Sequence, residues 1–308
     1  MNRIYAPIAL FTYSRADHSK RAVESLLQNA ESAESDLYIF SDGPKTEGKQ
    51  EAVAENRRYI RTITGFKSIH IIEREKNWGL ANSLIAGITD VINQYGKVIV
   101  VEDDLILSPY FLKFMNDGLN KYADDERVSS IGAFLNPIDC EAPQTFFLRY
   151  FSCWGWATWQ RAWKLFNPDA KALLKQLRWK KDDFNINDSC DFYGMLYCHK
   201  VGLVDSWAVR FYASCFLAGK LQLFPSKTMS VQSGMDGTGT HSGNSNIYAN
   251  MHLCMEPISV DDIPILESKE MYNAYSEFYS KGQNKSSMRY KYNRFKSFVR
   301  RLLGIDYR

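Results

Sequence analysis

Three adjacent acids, Glu102, Asp103 and Asp104, follow directly on the apolar run KVIVV at 97–101. Neighbouring carboxylates repel one another, so a cation is expected to offset them. Oxygen ligands suit Mg²⁺ or Mn²⁺, ions that commonly hold phosphates as well. The alternative is a solvated turn that opens the next helix, since acids favour helix N-termini. Three other segments offer matching chemistry: Thr12-Tyr13-Ser14-Arg15, Ser41-Asp42 and Lys76-Asn77-Trp78-Gly79. Taken singly, Asp-Gly-Pro and Asn-x-Gly are ordinary turn signals. Together they supply a cation, hydrogen-bonding groups and acids, a cradle for a nucleoside and its diphosphate. Farther on, Asp205 stands two residues before Trp207, and His241 lies in the glycine-rich stretch SVQSGMDGTGTHSGNS. A loop of that composition has low local stability and could act as a lid. His241 on it could meet a metal or a phosphate, or simply face solvent.

The elements around these residues read as alternating strands and helices, the pattern of βαβ units and a mainly parallel sheet. Strands are expected over 8–12, 36–41, 68–72 and 97–101, each ending at one of the segments above. The last is nearly all apolar, as a strand covered on both faces should be. In an open α/β sheet, ligands bind beyond the carboxyl ends of the strands. Helices are expected over 19–28, up to about 63, over 81–95 and over 109–122. Leu84, Ile88, Val91 and Ile92 mark the inner face of the third. Two more helices are expected over 170–177 and 207–218, a strand over 221–224 and a loop over 230–245. Between them, Trp156, Trp159 and Trp163 show near-helical spacing. Trp159 and Trp163 read as core; Trp154 and Trp156 could be core or could stack on a sugar ring.

Composition bounds the reading. With 45% hydrophobic and 24% charged residues, the 308-residue chain has the profile of an ordinary globular protein. Residues 285–308 carry +7 of a total of +3, leaving about −4 for the rest, so a general nucleic-acid binder is not expected. Over 290–303 the apolar residues Phe295, Phe298, Val299, Leu302 and Leu303 share one helical stripe. That fits either an interfacial helix on an anionic membrane or a terminal helix docked on the body. The six cysteines form no CxxC pair, and no stretch has the apolar length to span a bilayer. With no secretory pattern at the start, the expected location is cytoplasmic, peripheral at the inner face of the membrane.

The segment VIVVEDDLILSPYFLKFMNDGL resembles the metal-binding region of N-acetylglucosaminyltransferase I and its relatives, inverting glycosyltransferases with a GT-A fold. Weaker similarity extends to PIALFTYSRADHSKRAVESLL, SSIGAF, CWGWATWQRAW and DSWAVRF…FPSKTMSVQSGMDGTGTHSG, covering roughly residues 7–245. The arrangement WGWATWQRAW with a late GTH also looks like a bacterial branch that builds surface polysaccharides. The resemblance implies an α/β, Rossmann-like GT-A sheet flanked by helices, and the residue pattern adds a C-terminal amphipathic helical tail. The chain is expected to divide into a nucleotide-sugar half (1–135), an acceptor half of the same domain (136–265) and a basic helical tail (266–308).

The resemblance further implies Asp104 as the direct metal ligand, with Asp103 and Glu102 toward the ribose and sugar. Asp42 would meet the uracil edge, Arg15 the diphosphate, and Asp205 would act as catalytic base, with Asp191 and Asp188 in reserve. The other reading of Asp205 is a helix N-cap before Trp207. Thr12, Asn77 and Asn82 complete the expected donor contacts, Asn82 and Ser83 standing where the family carries a histidine. The expected activity is metal-dependent transfer of a sugar from a UDP-sugar, such as UDP-GlcNAc, to a glycan or lipid-linked acceptor. The rivals are a sugar-nucleotide pyrophosphorylase and a module that binds nucleotide or glycan without catalysis.

Overall fold

Every residue of Ile8–Thr12 (β1) is buried, and its side chains alternate between two apolar layers: Ile8 and Leu10 enter one, Ala9 and Phe11 the other. That is why the strand reads as a continuous apolar run. The computed structural model describes residues 5–233, 248 and 251–282. After β1 come α1 (Ala16–Leu27), β2 (Asp36–Ser41), α2 (Gln50–Ile60), β3 (Ser68–Glu73), α3 (Leu80–Tyr95), β4 (Lys97–Glu102), β5 (Leu105–Leu107) and α4 (Phe111–Lys121). The chain continues through β6 (Val128–Gly132), β7 (Thr145–Leu148), β8 (Trp156–Trp159), α5 (Gln160–Trp163), α6 (Ala170–Leu177), α7 (Lys181–Phe184), α8 (Phe192–Lys200) and α9 (Trp207–Leu217). Last come β9 (Leu221–Pro225), β10 (Ser230–Gln232) and α10 (Lys269–Gly282).

Eight strands form one sheet in the order β3-β2-β1-β4-β8-β6-β9-β7. Only β8 and β7 run against the other six, so the sheet is mixed and mainly parallel. Residues of α1 and α4 pack on one face of it, and residues of α3, α6, α8 and α9 on the other. Because β8 inserts between β4 and β6, the expected nucleotide and acceptor halves share this one sheet. Gly96 ends α3 in the left-handed region (φ 74°) and donates its N–H to Ile92 O at 2.8 Å, a termination that suits glycine.

Two expectations need correction. The spacing of Trp156 and Trp159 is not helical. Both lie in β8, and, being three apart on a strand, they face opposite layers. Helix begins only at Gln160. Trp156 is fully buried and stacks on Trp207 at 5.5 Å, so it is core like Trp159 and Trp163. Trp154 is half-buried, edge-on to Phe134 at 4.5 Å. Nor is 230–245 a loop throughout: Ser230–Gln232 is β10, antiparallel to β5. The basic tail 285–308 and His241 lie outside the described residues. Among the described residues no helix is long and apolar enough to cross a membrane.

Candidate active site

The carboxyl ends of β1 to β4 are tied in series by backbone hydrogen bonds. Asp42 N donates to Thr12 O, Arg74 N to Ser41 O, and Asp103 N to Phe11 O. Parallel pairing of β1 with β4 sets Phe11 opposite Glu102, so Thr12-Tyr13-Ser14-Arg15 and Glu102-Asp103-Asp104 leave the sheet side by side. Arg15, at the N-cap of α1, turns across this gap. Its Nη2 donates to Asp103 Oδ1 at 2.7 Å and to Asp104 Oδ2 at 2.9 Å. Asp103 Oδ2 also accepts from Tyr13 N. Asp104 Oδ2 accepts a second bond, from Gln232 Nε2 at 3.3 Å. Ser233 donates both N–H and Oγ–H to the Asp104 carbonyl, at 2.7 and 3.0 Å. Ser233, which follows β10, is thereby fixed to Asp104.

Electrostatically the cluster is short of positive charge. Burial, then Asp104 and Asp103, push Glu102 up to about 8. Burial also raises Asp103 to about 6 against the pull of Arg15. Burial works to lower Arg15, and the two aspartates outweigh it. Among the described residues no group of three or more His, Cys, Asp or Glu side chains is placed to hold a metal ion by itself. A divalent ion here would fill its remaining positions with water and substrate phosphate, as Mg²⁺ commonly does. The residues fit such an ion: oxygens of Asp103 and Asp104 already converge on one point of positive charge, with Glu102 adjacent.

The raised acids give a signed pH effect. In the unfolded chain such carboxyls titrate near 4.5 and 3.8; in the fold they hold their protons to about 8 and about 6. Their contribution to stability is fully present below about 4. It is lost as pH rises through 6 and then 8, where the folded state must ionise crowded acids. The chelator-treated protein is therefore expected to melt at a lower temperature at about pH 8 than at about pH 5. Glu102→Gln should flatten that fall in thermal unfolding scans; an unchanged slope would show that the cluster does not set it.

Asp42 is buried and fully engaged. Oδ1 accepts from Gly43 N and Trp78 N, and Oδ2 from Asn77 Nδ2, Trp78 N and Gly79 N, all within 3.1 Å. It clamps the turn that leads into α3. A Cβ on Gly43 would stand 2.5 Å from the Lys76 carbonyl carbon, so glycine is required where β2 meets this turn. Asn77 also donates to Gly43 O, and Asn82 Nδ2 to Trp78 O. The exposed Trp78 indole lies 3.9 Å from the buried Arg74 guanidinium. Thr12 Oγ1 accepts from Asn56 of α2, a residue not foreseen in the site.

Asp205 belongs to a separate group. The N-cap of α9 is Ser206, whose Oγ accepts from Val209 N, so the capping alternative for Asp205 falls away. Asp205 is 58% exposed, with Oδ1 3.3 Å from Arg210 Nη2 and 3.5 Å from His199 Nδ1. Burial first, then Arg210, lower His199, against Asp205. No hydrogen bond joins this group to the acids among the described residues, yet both lie toward one end of the sheet. Trp207 stacks on Trp156, whose strand partner Val100 precedes Glu102 by two residues. Cys153, before β8, is pushed up by burial and then by Glu102 and Asp104. Of the reserves, Asp191 caps α8 by accepting from Gly194 N. Gln232, Ser233, His199 and Arg210 went unforeseen; the one local signal for Gln232 is the apolar–polar alternation of Met229-Ser230-Val231-Gln232.

Residues 8–144 match the family model described as Glycosyl transferase family 2. The match covers less than half of the chain and does not address the N-acetylglucosaminyltransferase I branch. No curated protein matches the chain. Among solved structures, the mannosyltransferase PcManGT from Pyrobaculum calidifontis, in complex with GDP-Man and Mn²⁺, is similar with a TM-score of 0.42 and 13% identity, over 70% of each chain. TarS of S. aureus has a TM-score of 0.42 and 13% identity over 73% of this chain, which spans only 36% of TarS. UDP-glucose pyrophosphorylase complexed with UDP-glucose has a TM-score of 0.40 and 10% identity, over 74% of this chain and 94% of that one. The mixed, mainly parallel sheet with helices on both faces is a GT-A-like fold.

Proposed function

We propose that this protein is an inverting, metal-dependent glycosyltransferase that moves a sugar from a nucleoside-diphosphate donor to a hydroxyl of a glycan or lipid-linked acceptor. The donor we favour is UDP-GlcNAc or another UDP-sugar. The observation that carries the reading is the convergence of Asp103 and Asp104 on one cationic nitrogen at the end of β4. The match of residues 8–144 to glycosyl transferase family 2 supports it. Asp104, with Asp103 beside it, would hold Mn²⁺ or Mg²⁺, which would supply charge stabilisation for the departing diphosphate. Arg15, standing on the same acids, adds a fixed positive charge at the leaving group. Thr12, Asn77, Asn82 and the turn clamped by Asp42 shape the nucleoside end, and Glu102 and Asp103 face the ribose and sugar. His241 lies in the glycine-rich stretch 230–245, whose Ser233 is bonded to Asp104.

The transition state is oxocarbenium-like, as in glycoside hydrolysis. The anomeric carbon–phosphate oxygen bond breaks, the acceptor oxygen bonds to the opposite face, and Asp205 takes the acceptor's proton. In-line attack inverts the anomeric centre. Within the shared sheet, 1–135 serves the donor and 136–265 the acceptor. The setting we favour is surface-polysaccharide assembly at the cytoplasmic face of a membrane, with 266–308 as the tail.

Thermal unfolding with a panel of nucleotide sugars, with and without Mn²⁺, tests the reading. Stabilisation follows RT ln(1 + [L]/Kd), so a donor at a hundred times its Kd is expected to contribute about 2.7 kcal/mol. A rise confined to one nucleotide class and dependent on Mn²⁺ supports the proposal. Equal shifts with chelator present would sink its metal half, and no shift with any donor would sink the whole.

A further inference from the structure

We propose that the outer face of α6 and the turn after it form a docking surface for an anionic lipid membrane. The helix is amphipathic: Leu173, Leu174 and Leu177 are buried against α8 and α9, while the exposed Lys171, Lys175 and Arg178 recur at i, i+4 and i+7 along one flank of that buried stripe. Trp179 follows at 85% exposure, the most exposed large apolar side chain among the described residues. Lys180 beyond it is exposed too, and Arg178 lies over the Trp179 ring at 4.7 Å. No acid occurs between Ala170 and Lys181. Of the flanking acids, Asp169 caps α6 through Lys171 N and Ala172 N, Asp183 lies 3.3 Å from Arg149, and the exposed Asp182 stands in the first turn of α7.

The chemistry of this face selects among occupants. A protein partner docking on a tryptophan ordinarily surrounds it with apolar contacts, whereas the sequence neighbours of Trp179 are cations. A neutral glycan could stack on the indole but would give the lysines nothing to pair with. An anionic bilayer uses both features. Indole settles at the headgroup level, and lysine and arginine stems lie along the surface with their charges among lipid phosphates. None of its residues belongs to the segment 285–308 or to the proposed donor and acceptor sites.

The full-length chain is to be co-sedimented with phosphatidylcholine vesicles, with and without phosphatidylserine. Binding is expected only with phosphatidylserine, and it should weaken as salt is raised. Substituting Lys171→Gln, Lys175→Gln and Lys180→Gln together is expected to weaken it on the order of a hundredfold, given the contribution per cation near such a surface. Trp179→Ser should weaken it about tenfold and abolish quenching of tryptophan fluorescence by brominated lipid, a readout that a general charge effect would leave intact. These side chains are exposed, so unchanged unfolding temperatures confirm that the variants fold. Wild-type binding by the triple variant would assign the membrane to another surface and overturn the proposal. So would failure of the native chain to bind, or binding of a polynucleotide but not of vesicles.

Discussion

Asp104→Ala is expected to lower kcat/KM for sugar transfer by about 10³-fold, roughly 4 kcal/mol of transition-state stabilisation. The magnitude follows from what the side chain does. Asp104 Oδ2 is one of two carboxylate oxygens facing the same cationic point, and the alanine variant leaves Asp103 as the sole partner there. A divalent ion with one protein carboxylate fewer binds less tightly and is less well placed beside the leaving group. Stability should move the other way. Asp104 pushes both Glu102 and Asp103 up by like-charge repulsion, so its removal relieves a crowded site in the metal-free protein. The expected signature is therefore near-total loss of activity and of Mn²⁺-dependent donor stabilisation, with an unfolding temperature in chelator that is equal or higher. A structural carboxylate would give the opposite pattern, a drop in stability without chelator or metal dependence. Mn²⁺-dependent donor stabilisation persisting in the variant would place the cation elsewhere.

The parallel half of the fold was legible because its signal is local. Strands β1, β2 and β4 are covered on both faces, so each reads as an apolar run whatever its neighbours are. The acids at the end of β4 stand out because Val98–Val101 before them carry no charge. The other half depends on partners distant in sequence. In β8, Trp156 and Trp159 mimic a helical spacing, and only the slot between β4 and β6 makes the segment a strand. Gln232 reaches Asp104 from 128 residues away, through a three-residue strand whose partner β5 is equally short. Asp42 was legible as an acid at a strand end, but all its bonds save that from Gly43 N come from residues 77–79. Its side chain works through that turn, which decides what can stand at the nucleoside end. Residue type therefore pointed to the site, while the pairing of the site's members was written in the topology.

Asp205→Asn is expected to lower kcat by 10² to 10⁴-fold while leaving donor affinity unchanged, since removal of a general base affects the proton transfer and not nucleotide binding. Stability should scarcely move. The carboxylate is 58% exposed, and an exposed ion pair of this kind contributes at most about 1 kcal/mol. Arg210 keeps its Nε bond to Ser206 O, and the α9 cap is Ser206 itself, so the helix start survives the substitution. An unfolding temperature within about 4 °C of the native one is expected. The pH profile separates a base from a positioning residue. In the native enzyme the acidic limb of kcat should follow ionisation of the base, and in the variant that limb should disappear while the residual rate stays flat. His199 sharpens the test: burial, then Arg210, lowers it against the pull of Asp205, and it lies 3.5 Å from Asp205. His199→Ala should therefore preserve the acidic limb if Asp205 is the base, and remove it if the histidine is. Full transfer by Asp205→Asn would move the base to another carboxylate. Asp188 is then the next to substitute, since Asp191 is already bound to the start of α8.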